Sequence, residues 1–418
     1  MKKKVLVIGG GGRCHAIVAA LSHSPQVEKI YCAPGNAGIA QQAESVAIKE
    51  TDVAALKAFV KENAIDLTVV GPEAVLAVGI VDEFRKDGLA IFGHTKAATQ
   101  IETSKEFAKK LMQKYGIPTA DYCSFTDYEN ALIYVREHSF PSVIKYDGLA
   151  AGKGVVIAEN LEQAQNALKD MLLDGRYGEG KVVIEEFLQG PEFSFMCFVN
   201  GRNVYPMPLA QDHKRAFDGD KGPNTGGMGA YTGLPFITPE DEEFALKNIL
   251  QKTADAMVEE GCPLSGVLYG GLMKTEKGIK VIEFNARFGD PETEVVLPLL
   301  ESDAYDVMCA MAVGEKPQEL SWSREVAMGV VLASNGYPGS YEKGHAITID
   351  DGCPAHIFHM GTKMTANGLV TNGGRVLMCV CTACTIEEAV AKTYQSLNYI
   401  HCDNLFYRKD IAHWALNK

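Results

Sequence analysis

The sequence contains no long hydrophobic run. A membrane-spanning helix needs roughly 18 or more consecutive apolar residues, and no window of this chain approaches that length. The basic residues at positions 2–4 are followed by only a short apolar stretch, Val5–Ile8, before a run of glycines. We therefore expect neither a membrane segment nor a secretory signal peptide.

Positive charge is also scarce in this chain. The 40 Lys and Arg residues stand against 53 Asp and Glu residues, which gives a net charge of −13. This balance disfavours a broad cationic surface for nucleic acid or anionic lipid. We therefore expect no nucleic acid partner and no membrane partner.

The cysteines show no pairing pattern. The 11 cysteines are spread singly along the chain except for one group, Cys379, Cys381 and Cys384. Such spacing indicates reduced thiols in a cytoplasmic protein rather than a disulfide framework. The group lies in an apolar, strand-like run, which favours core packing over metal binding.

Length and composition indicate several packed domains. The chain has 418 residues, 46% of them hydrophobic, and domains usually take about 100–200 residues each. Short apolar strands alternate with helices up to about residue 92, which predicts a parallel α/β sheet. A helix at Thr95–Tyr115 is followed by a compact α+β unit at about 117–188. A larger antiparallel unit from 192, with a helix at about 239–260, and a last segment at about 325–418 complete the prediction.

Three glycine-containing loops follow predicted parallel strands. The first, Gly9–Gly12 followed by Arg13, places free backbone N–H groups at a helix start, where they can cradle a phosphate. It does not match the dinucleotide fingerprint, because neither position 14 nor position 15 is glycine. Loops at 34–38 and 71–73 reach the same sheet edge, so the three together predict one pocket for a small phosphorylated metabolite. Ordinary turns are the alternative.

The strongest local pattern is a glycine- and alanine-rich loop between two lysines. Lys145 and Lys153 flank this loop between two apolar strands, so both ammonium groups and several backbone amides can reach a polyphosphate. The loop is not a Walker A motif, because Gly154 stands where the metal-binding Ser or Thr is required. A solvent-exposed hairpin is the alternative.

The apolar run Val182–Leu188 is a candidate adenine-binding segment. A buried strand of this kind can offer backbone N–H and C=O groups to an adenine, and a nearby carboxylate such as Glu192 suits ribose hydroxyls. Taken alone, the pattern fits a plain core strand equally well.

A later strand carries polar residues on one face. Glu283, Asn285 and Arg287 alternate with apolar residues and therefore project together. A carboxylate and an amide oxygen suit Mg²⁺, which takes its other ligands from water and nucleotide phosphates, while Arg287 suits a developing phosphate or acyl phosphate. A solvated strand face is the alternative.

A basic cluster at Asp212–Arg215 precedes the glycine-rich segment Gly222–Gly229. Three adjacent cations in an acidic chain favour binding of a substrate phosphate or carboxylate, with a surface patch as the alternative. We find no Ser or Cys nucleophile placed to form a triad with His213.

In order along the chain, these motifs resemble the ATP-grasp superfamily and, within it, the phosphoribosylamine–glycine ligase family. The loop between Lys145 and Lys153, which we call the lysine loop, and the EFN segment that contains Glu283 and Asn285 indicate the superfamily. The segments RFGDPET and GPNTGGMGAY indicate the family. The segments that carry the resemblance are VLVIGGGGRCHA, APGNAG, DLTVVGPEAVL, IKYDGLAAGKGVV, VVIEEFLQG, QDHKR, GPNTGGMGAY, VIEFNARFGDPET, NGYPG and TNGGRVL.

The resemblance implies a multidomain fold of α/β and α+β units. The implied domains are an N-terminal parallel α/β substrate-binding domain at 1–102, an ATP-grasp central domain at 103–120 and 189–324, its small lid domain at 121–188, and a C-terminal mixed α/β domain at 325–418. The implied reaction joins glycine to 5-phosphoribosylamine in purine biosynthesis, with ATP first phosphorylating the glycine carboxylate. Mg²⁺ or Mn²⁺ would assist, and we expect a monomer acting on small molecules.

The resemblance also implies roles for individual residues. The catalytic residues would be Arg287, Lys153 and Lys145, and the metal ligands Glu283 and Asn285. ATP would be bound by Lys105, Lys145, Gly152, Lys153, Gly154, Glu185, Glu186, Phe187, Leu188 and Glu192. The other substrates would be bound by Gly11, Gly12, Arg13, Gly35, Asn36, Gly38, Pro72, Glu73, Asp212, His213, Lys214, Arg215, Gly289 and Asp290.

Three positions depart from the family pattern, one of them Tyr146, which stands where the lysine loop of the family usually has a small residue. The first loop of the family usually reads GNGGREH, so Gly10 and Cys14 replace an asparagine and a glutamate, and any carboxylate contact to the ribosylamine at position 14 is lost.

Another ATP-grasp carboxylate–amine ligase with a different acceptor is one alternative function. A non-catalytic nucleotide-binding regulator is another, which the retained Glu283, Asn285 and Arg287 disfavour.

Overall fold

The N-terminal part of the chain forms a parallel sheet. The computed structural model describes residues 2–148, 154–174 and 180–416. The first elements are β1 (Lys3–Gly9), α1 (Gly12–Ser22), β2 (Val27–Pro34), β3 (Glu44–Ser45), α2 (Val53–Glu62), β4 (Leu67–Val70), α3 (Glu73–Ala77), α4 (Ile80–Lys86), β5 (Ile91–Phe92) and α5 (Gln100–Thr103). The strands pair in the order β3-β2-β1-β4-β5, all parallel. The predicted α/β sheet is confirmed, and the carboxyl ends of its strands meet at one edge.

The predicted helix at Thr95–Tyr115 is interrupted. Helix α5 ends at Thr103, and α6 (Lys105–Tyr115) begins after Ser104, which has an extended backbone. The Ser104 side chain accepts a hydrogen bond from the backbone N–H of Phe107 at 3.1 Å. Serine favours this capping role over a helix interior, which explains why the helix restarts here.

A small antiparallel sheet with two helices forms a separate layer, which we call the lid. Its elements are β6 (Tyr122–Phe125), α7 (Tyr128–Glu137), β7 (Ser142–Tyr146), β8 (Val155–Ala158), α8 (Leu161–Leu172) and β9 (Val182–Glu186). The strand order is β6-β9-β7-β8. The two helices pack on the sheet and form with it a hydrophobic core of their own, which includes Ile144, Leu168 and Ile184.

The rest of the chain is organised around one large sheet. Its elements are β10 (Glu192–Asn200), β11 (Asn203–Pro206), β12 (Ala210–Asp212), β13 (Arg215–Phe217), β14 (Lys221–Asn224), β15 (Gly229–Thr232), α9 (Pro239–Ala245), α10 (Lys252–Glu259), β16 (Ser265–Thr275), β17 (Gly278–Asn285), α11 (Thr293–Val296), α12 (Ala304–Ala312), β18 (Val326–Ser334), β19 (Thr348–Ile349), β20 (His356–His359), β21 (Thr362–Thr365), β22 (Gly368–Thr371), β23 (Arg375–Ala383), α13 (Ile386–Ser396), β24 (Ile400–His401), β25 (Leu405–Phe406) and α14 (His413–Leu416). Ten strands pair along the path β17-β16-β10-β12-β15-β18-β23-β20, with β11 on β10 and β25 on β18. This sheet therefore contains strands from both sides of residue 325.

The helix predicted at about 239–260 is found in three parts. Its start is well specified, because Thr238 accepts from the Asp241 N–H at 3.2 Å and Asp241 accepts from the Thr238 N–H at 3.0 Å. This reciprocal pair is a capping box. A π-helical turn at Leu246–Gln251 then separates α9 from α10. Among the described residues, no helix is both long and apolar enough to cross a bilayer.

Two buried histidines join the N-terminal sheet domain to β20. The backbone N–H of His359 donates to His15 Nδ1 at 2.8 Å, and His359 Nδ1 lies 2.8 Å from Thr362 Oγ1. Burial, with a smaller effect from His359, lowers the pKa of His15 to about 3. Burial also lowers the pKa of His359 to about 4. Both imidazoles are therefore neutral in the folded protein near pH 7.

We expect these histidines to make the protein less stable in mild acid. An unfolded histidine, with a pKa near 6.5, binds a proton as the pH falls, whereas the folded protein resists protonation until about pH 4 for His359. The free energy of unfolding therefore falls below about pH 6.5, by about 1.4 kcal/mol per pH unit for each proton. Urea unfolding between about pH 7 and pH 5 measures this decline. The free energy of unfolding should decline less steeply in His359→Gln than in the wild type, whereas the exposed-site control His23→Gln should decline like the wild type. Equal declines in the wild type and both variants would show that His359 does not cause the acid sensitivity.

Candidate active site

A cleft, which we call the lid cleft, lies between the lid and strand β17. All eight described residues predicted to bind ATP line it: Lys105, Lys145, Gly154, Glu185, Glu186, Phe187, Leu188 and Glu192. Gly152 and Lys153 lie outside the described residues. The cleft wall also contains apolar side chains from three elements, namely Ile157, Met273 and Ile282. The cleft thus combines an apolar end with a cationic end.

Two buried lysines share one carboxylate at the cationic end. Lys145 Nζ on β7 lies 2.9 Å from Glu185 Oε1 on β9 and donates a hydrogen bond to the carbonyl oxygen of Ile282 at 3.0 Å. Lys109 Nζ on α6 lies 2.8 Å from Glu185 Oε2. Burial lowers the pKa of Lys109 to about 8, although the Glu185 carboxylate acts in the opposite direction. These contacts hold two ammonium groups where a polyphosphate can bind.

The interrupted helix supplies a further cation to the cleft. Lys105 Nζ, in the first turn of α6, donates to the carbonyl oxygen of Gly148 at 3.1 Å. Burial lowers the pKa of Lys105, and the nearby Glu283 carboxylate opposes that effect. Sequence reasoning missed Lys109, which stands one helical turn beyond Lys105. Its position on the same face as the buried Met112 is the amphipathic signal that could have identified it.

Arg287 is held between two carboxylates at the end of the lid cleft. Its Nη2 lies 3.0 Å from Glu102 Oε1 and 3.3 Å from Asn285 Oδ1, and its Nε lies 3.3 Å from Glu73 Oε2. Although burial opposes it, the pKa of Arg287 is raised by Glu102 and Glu73. Glu102, which the sequence did not single out, is itself fixed by the backbone N–H of Ala286, at 2.7 Å. The guanidinium is therefore oriented before any substrate arrives.

Glu283 is an ionised carboxylate among cations. Burial alone would raise its pKa, but Lys214, Lys145 and Lys105 outweigh burial and lower it. Glu283 and Asn285 both line the cleft from β17. Within residues 2–148, 154–174 and 180–416, no group of three or more His, Cys, Asp or Glu side chains could hold a metal ion. A single carboxylate with one amide oxygen nevertheless fits Mg²⁺, which keeps several waters and binds nucleotide phosphates.

A second cavity, which we call the N-terminal pocket, adjoins the lid cleft. Sequence-predicted residues that line it are Arg13, Glu73, Asp212, Lys214, Glu283, Asn285, Arg287 and Asp290. The two cavities share seven lining residues: Glu73, Lys214, Asn224, Thr225, Glu283, Asn285 and Arg287. A ligand in either cavity can therefore reach these side chains, which makes this border the place for chemistry between two bound molecules.

Two arginines converge on Asp290 in the N-terminal pocket. Arg13 approaches Asp290 Oδ2 with its backbone N–H at 3.3 Å and its Nε at 3.4 Å, and Arg375 Nη1 lies 2.8 Å from Asp290 Oδ1. Burial opposes ionisation of Asp290, but Arg375 and Arg13 hold its pKa below its usual range. Arg375 and the nearby Tyr337 come from the C-terminal part of the chain. Their motifs, NGYPG and TNGGRVL, contribute to the resemblance, but the local sequence indicates no role for either residue in the site.

Several predicted substrate residues form the framework of the loops and do not line the N-terminal pocket. Asn36 Nδ2 donates to the carbonyl oxygens of Gly10 at 2.9 Å and His359 at 2.7 Å, and its Oδ1 accepts from the Gly38 N–H at 2.9 Å. Gly12 packs so closely against Glu294 that a Cβ there would lie 2.1 Å from its Oε1. The lining of the N-terminal pocket also does not include Gly11, Gly35, Pro72 and Gly289.

The basic cluster divides between two environments. Lys214 Nζ lies 2.7 Å from Glu192 Oε2 and lines both cavities. His213, in contrast, is buried, and its Nε2 accepts from the backbone N–H of Ala412 at 3.0 Å. Arg215 Nη1 donates to the carbonyl oxygen of Gly222 at 2.8 Å. Of these three residues, Lys214 lies closest to the border of the cavities, whereas His213 contacts the C-terminal segment.

Cys14 lies in the core beneath the first loop. Its side chain is buried, and its Sγ lies 3.7 Å from the carbonyl oxygen of Ile8. Burial raises the pKa of the thiol to about 12. A Cβ at either Gly9 or Gly71 would lie 2.4 Å from the sulfur, so glycine at both positions leaves room for it. The side chain at position 14 therefore packs against the first loop and does not line the N-terminal pocket.

The chain matches known proteins over nearly its whole length. It matches the models for the N domain (residues 3–102), the ATP-grasp (A) domain (residues 103–293) and the C domain (residues 327–414) of phosphoribosylglycinamide synthetase. It is 52% identical to phosphoribosylamine–glycine ligase of Halalkalibacterium halodurans, with 99% of this chain and 97% of the relative covered. It is 50% identical to the Listeria innocua enzyme of the same name, with 98% and 99% covered.

A solved structure has the same fold over nearly the whole chain. The crystal structure of phosphoribosylamine–glycine ligase from Thermotoga maritima superposes with a TM-score of 0.86 at 35% identity, over 98% of this chain and 100% of that chain. The full-length identity, the domain matches and the shared fold agree with one another. The chain is a member of the phosphoribosylamine–glycine ligase family of ATP-grasp enzymes.

Proposed function

We propose that this ATP-dependent ligase binds ATP in the lid cleft and joins glycine to 5-phospho-D-ribosylamine at the border with the N-terminal pocket. The products are N1-(5-phospho-D-ribosyl)glycinamide, ADP and phosphate. The observation that carries this assignment is the shared border, where Glu283, Asn285 and Arg287 face both cavities. A nucleotide on one side and an acceptor on the other would meet there.

ATP fits the two ends of the lid cleft. The backbone of Glu186–Leu188 and the apolar side chains of Ile157 and Met273 would hold the adenine, and Glu192 would accept hydrogen bonds from ribose hydroxyls. Lys145 would contact the phosphates, together with Lys153 from the loop outside the described residues. The cations would stabilise charge on the phosphoryl group during transfer.

Residues of β17 would bind the metal ion. Glu283 and Asn285 would hold Mg²⁺, or Mn²⁺, and the ion would neutralise charge on the nucleotide phosphates when bound. The chain itself contributes an ionised carboxylate, because the surrounding lysines lower the pKa of Glu283.

The reaction would proceed in two steps. A carboxylate oxygen of glycine attacks the γ-phosphorus of ATP, ADP leaves, and glycyl phosphate forms. The amine of the ribosylamine then attacks the acyl carbon, loses a proton and expels phosphate. Arg287, fixed by Glu73 and Glu102, would stabilise the acyl phosphate through both steps. The lid over the cleft would exclude water, which would otherwise hydrolyse this intermediate.

The ribosylamine would occupy the N-terminal pocket. Arg13, Lys214 and Arg375 provide positive charge there for its 5-phosphate. A monomeric enzyme stays a prediction. A cytoplasmic setting also stays a prediction.

The direct test measures ADP release from ATP and Mg²⁺ with glycine alone, with freshly generated ribosylamine alone, and with both. We expect ADP formation to require both substrates, because glycyl phosphate stays in the cleft until the amine attacks. No turnover with both substrates, from protein that still binds ATP, would mean that the acceptor is a different amine.

A further inference from the structure

The C-terminal helix places a tryptophan beside the lid cleft. Trp414 on α14 is 48% exposed, an unusual state for a side chain of this size. It lines a cavity that continues outward from the lid cleft. The residues that line both this cavity and the lid cleft include Phe187, Leu188, Glu192, Lys214 and Met273. An aromatic ring therefore stands at the end of the cleft that the proposed function assigns to the adenosine of ATP.

The segment that carries this ring is anchored by a network of charged residues. Arg408, whose side chain is fully buried, contacts Asp410 through its Nε and Nη2, each at 2.8 Å, and Asp220 through its Nη1 at 2.9 Å. His413 Nε2, next to the tryptophan in sequence, lies 3.3 Å from the same Asp220. The chain leading to α14 is thereby tied to the loop that follows Lys214.

A second anchor joins the same two segments. The backbone N–H of Ala412 donates to His213 Nε2 at 3.0 Å, and the rings of His213 and His413 lie 5.2 Å apart. Lys214, the residue after His213, lies 2.7 Å from Glu192. The main chain at Trp414 is thus anchored to the segment that contains Lys214, the ion-pair partner of Glu192, which is proposed to bind the ribose. A main chain anchored in this way loses little conformational entropy when the side chain it carries contacts a ligand.

We infer that Trp414 is a further nucleotide-contacting residue, whose indole covers the adenine end of bound ATP. This inference rests on the proposed function only in placing the adenosine at Glu186–Glu192. An indole face stacks favourably on a flat purine. The lid residue Ile157 lines the same cavity. The base would therefore be enclosed by the lid on one side and by the C-terminal helix on another.

Fluorescence tests this contact independently of turnover. The chain has two tryptophans, so Trp322→Phe leaves Trp414 as the only indole. We expect a saturable change in its emission with MgADP and none with magnesium tripolyphosphate, which has no base. Trp414→Phe, which retains Trp322, should give no signal with either probe. A signal from tripolyphosphate equal to that from MgADP, or a signal that survives in Trp414→Phe, would overturn the inference.

Kinetics provide the second readout. We expect Trp414→Ala to raise the KM for ATP about fivefold while kcat and the KM for glycine stay within about twofold of wild type. Trp414→Phe should restore most of the loss, because it retains an aromatic face. Phe244→Ala, at an exposed aromatic residue on α9, is the matched control and should leave all constants unchanged.

The failure of this inference is distinguishable from failure of the proposed function. If the acceptor is wrong, turnover with ribosylamine is absent while the MgADP signal remains. If Trp414 makes no contact with the nucleotide, turnover is normal, the MgADP signal is absent and Trp414→Ala behaves like Phe244→Ala. A purely structural role would lower thermal stability and kcat together without raising the KM for ATP, which would also overturn the inference.

Discussion

Glu283→Gln is expected to lower kcat by about a thousandfold while the protein stays folded. Glutamine has nearly the shape of glutamate but carries no charge. The wild-type carboxylate is ionised among Lys214, Lys145 and Lys105, so the substitution removes one negative charge that faces these cations and removes the proposed metal ligand. The measurement is the steady-state rate of ADP formation at saturating glycine and ribosylamine, over a range of Mg²⁺ concentrations.

Glu276→Gln is the matched control for this substitution. Glu276 is exposed and lies between the ends of β16 and β17, so the same chemical change there should leave the rate unaltered. If Glu283→Gln keeps more than about a tenth of the wild-type rate at all Mg²⁺ concentrations, Glu283 is not a metal ligand for the rate-limiting step.

Arg287→Met is expected to have an effect of similar size, a loss of about a thousandfold in kcat or more. The guanidinium faces the border between the lid cleft and the N-terminal pocket, and Glu73 and Glu102 fix its orientation. Its removal would eliminate the positive charge proposed to stabilise the acyl phosphate. It would also leave the buried Glu102 without its main counter-charge.

Two further variants separate charge from orientation at this position. Arg287→Lys keeps the charge but cannot span both carboxylates, so we expect it to recover only about a tenth of the wild-type rate. Arg202→Met removes a surface guanidinium whose side chain is 51% exposed and which pairs with Asp255, and it should not change the rate. A fully active Arg287→Met enzyme would exclude Arg287 from the chemistry.

The sequence could predict features that depend only on residues close together along the chain. The alternation of polar and apolar residues on β17 identified Glu283 and Asn285 as neighbours on one face, and both line the lid cleft. The parallel sheet followed from the alternation of strands and helices. These features depend on periodicity over a few residues, which the sequence contains directly.

The side-chain partners in the site could not be predicted, because they come from segments that are far apart along the chain. Glu102 approaches Arg287 from another element, and Arg375 reaches Asp290 across a separation of 85 residues. Nothing in the local sequence around either residue indicates its partner. For Asn36 the position was predicted but the contacts were not. Its loop lies at the predicted sheet edge, but its side chain donates hydrogen bonds to the carbonyl oxygens of Gly10 and His359.

We propose above all that the enzyme activates glycine as glycyl phosphate, a mixed anhydride of its carboxylate and phosphate. Turnover with glycine labelled with ¹⁸O in the carboxylate tests it most directly, by mass spectrometry of the released phosphate. If the carboxylate attacks ATP and phosphate later leaves with that oxygen, each phosphate carries one ¹⁸O and the amide keeps the other. Unlabelled phosphate, formed together with the ribosylglycinamide product, would contradict the mechanism.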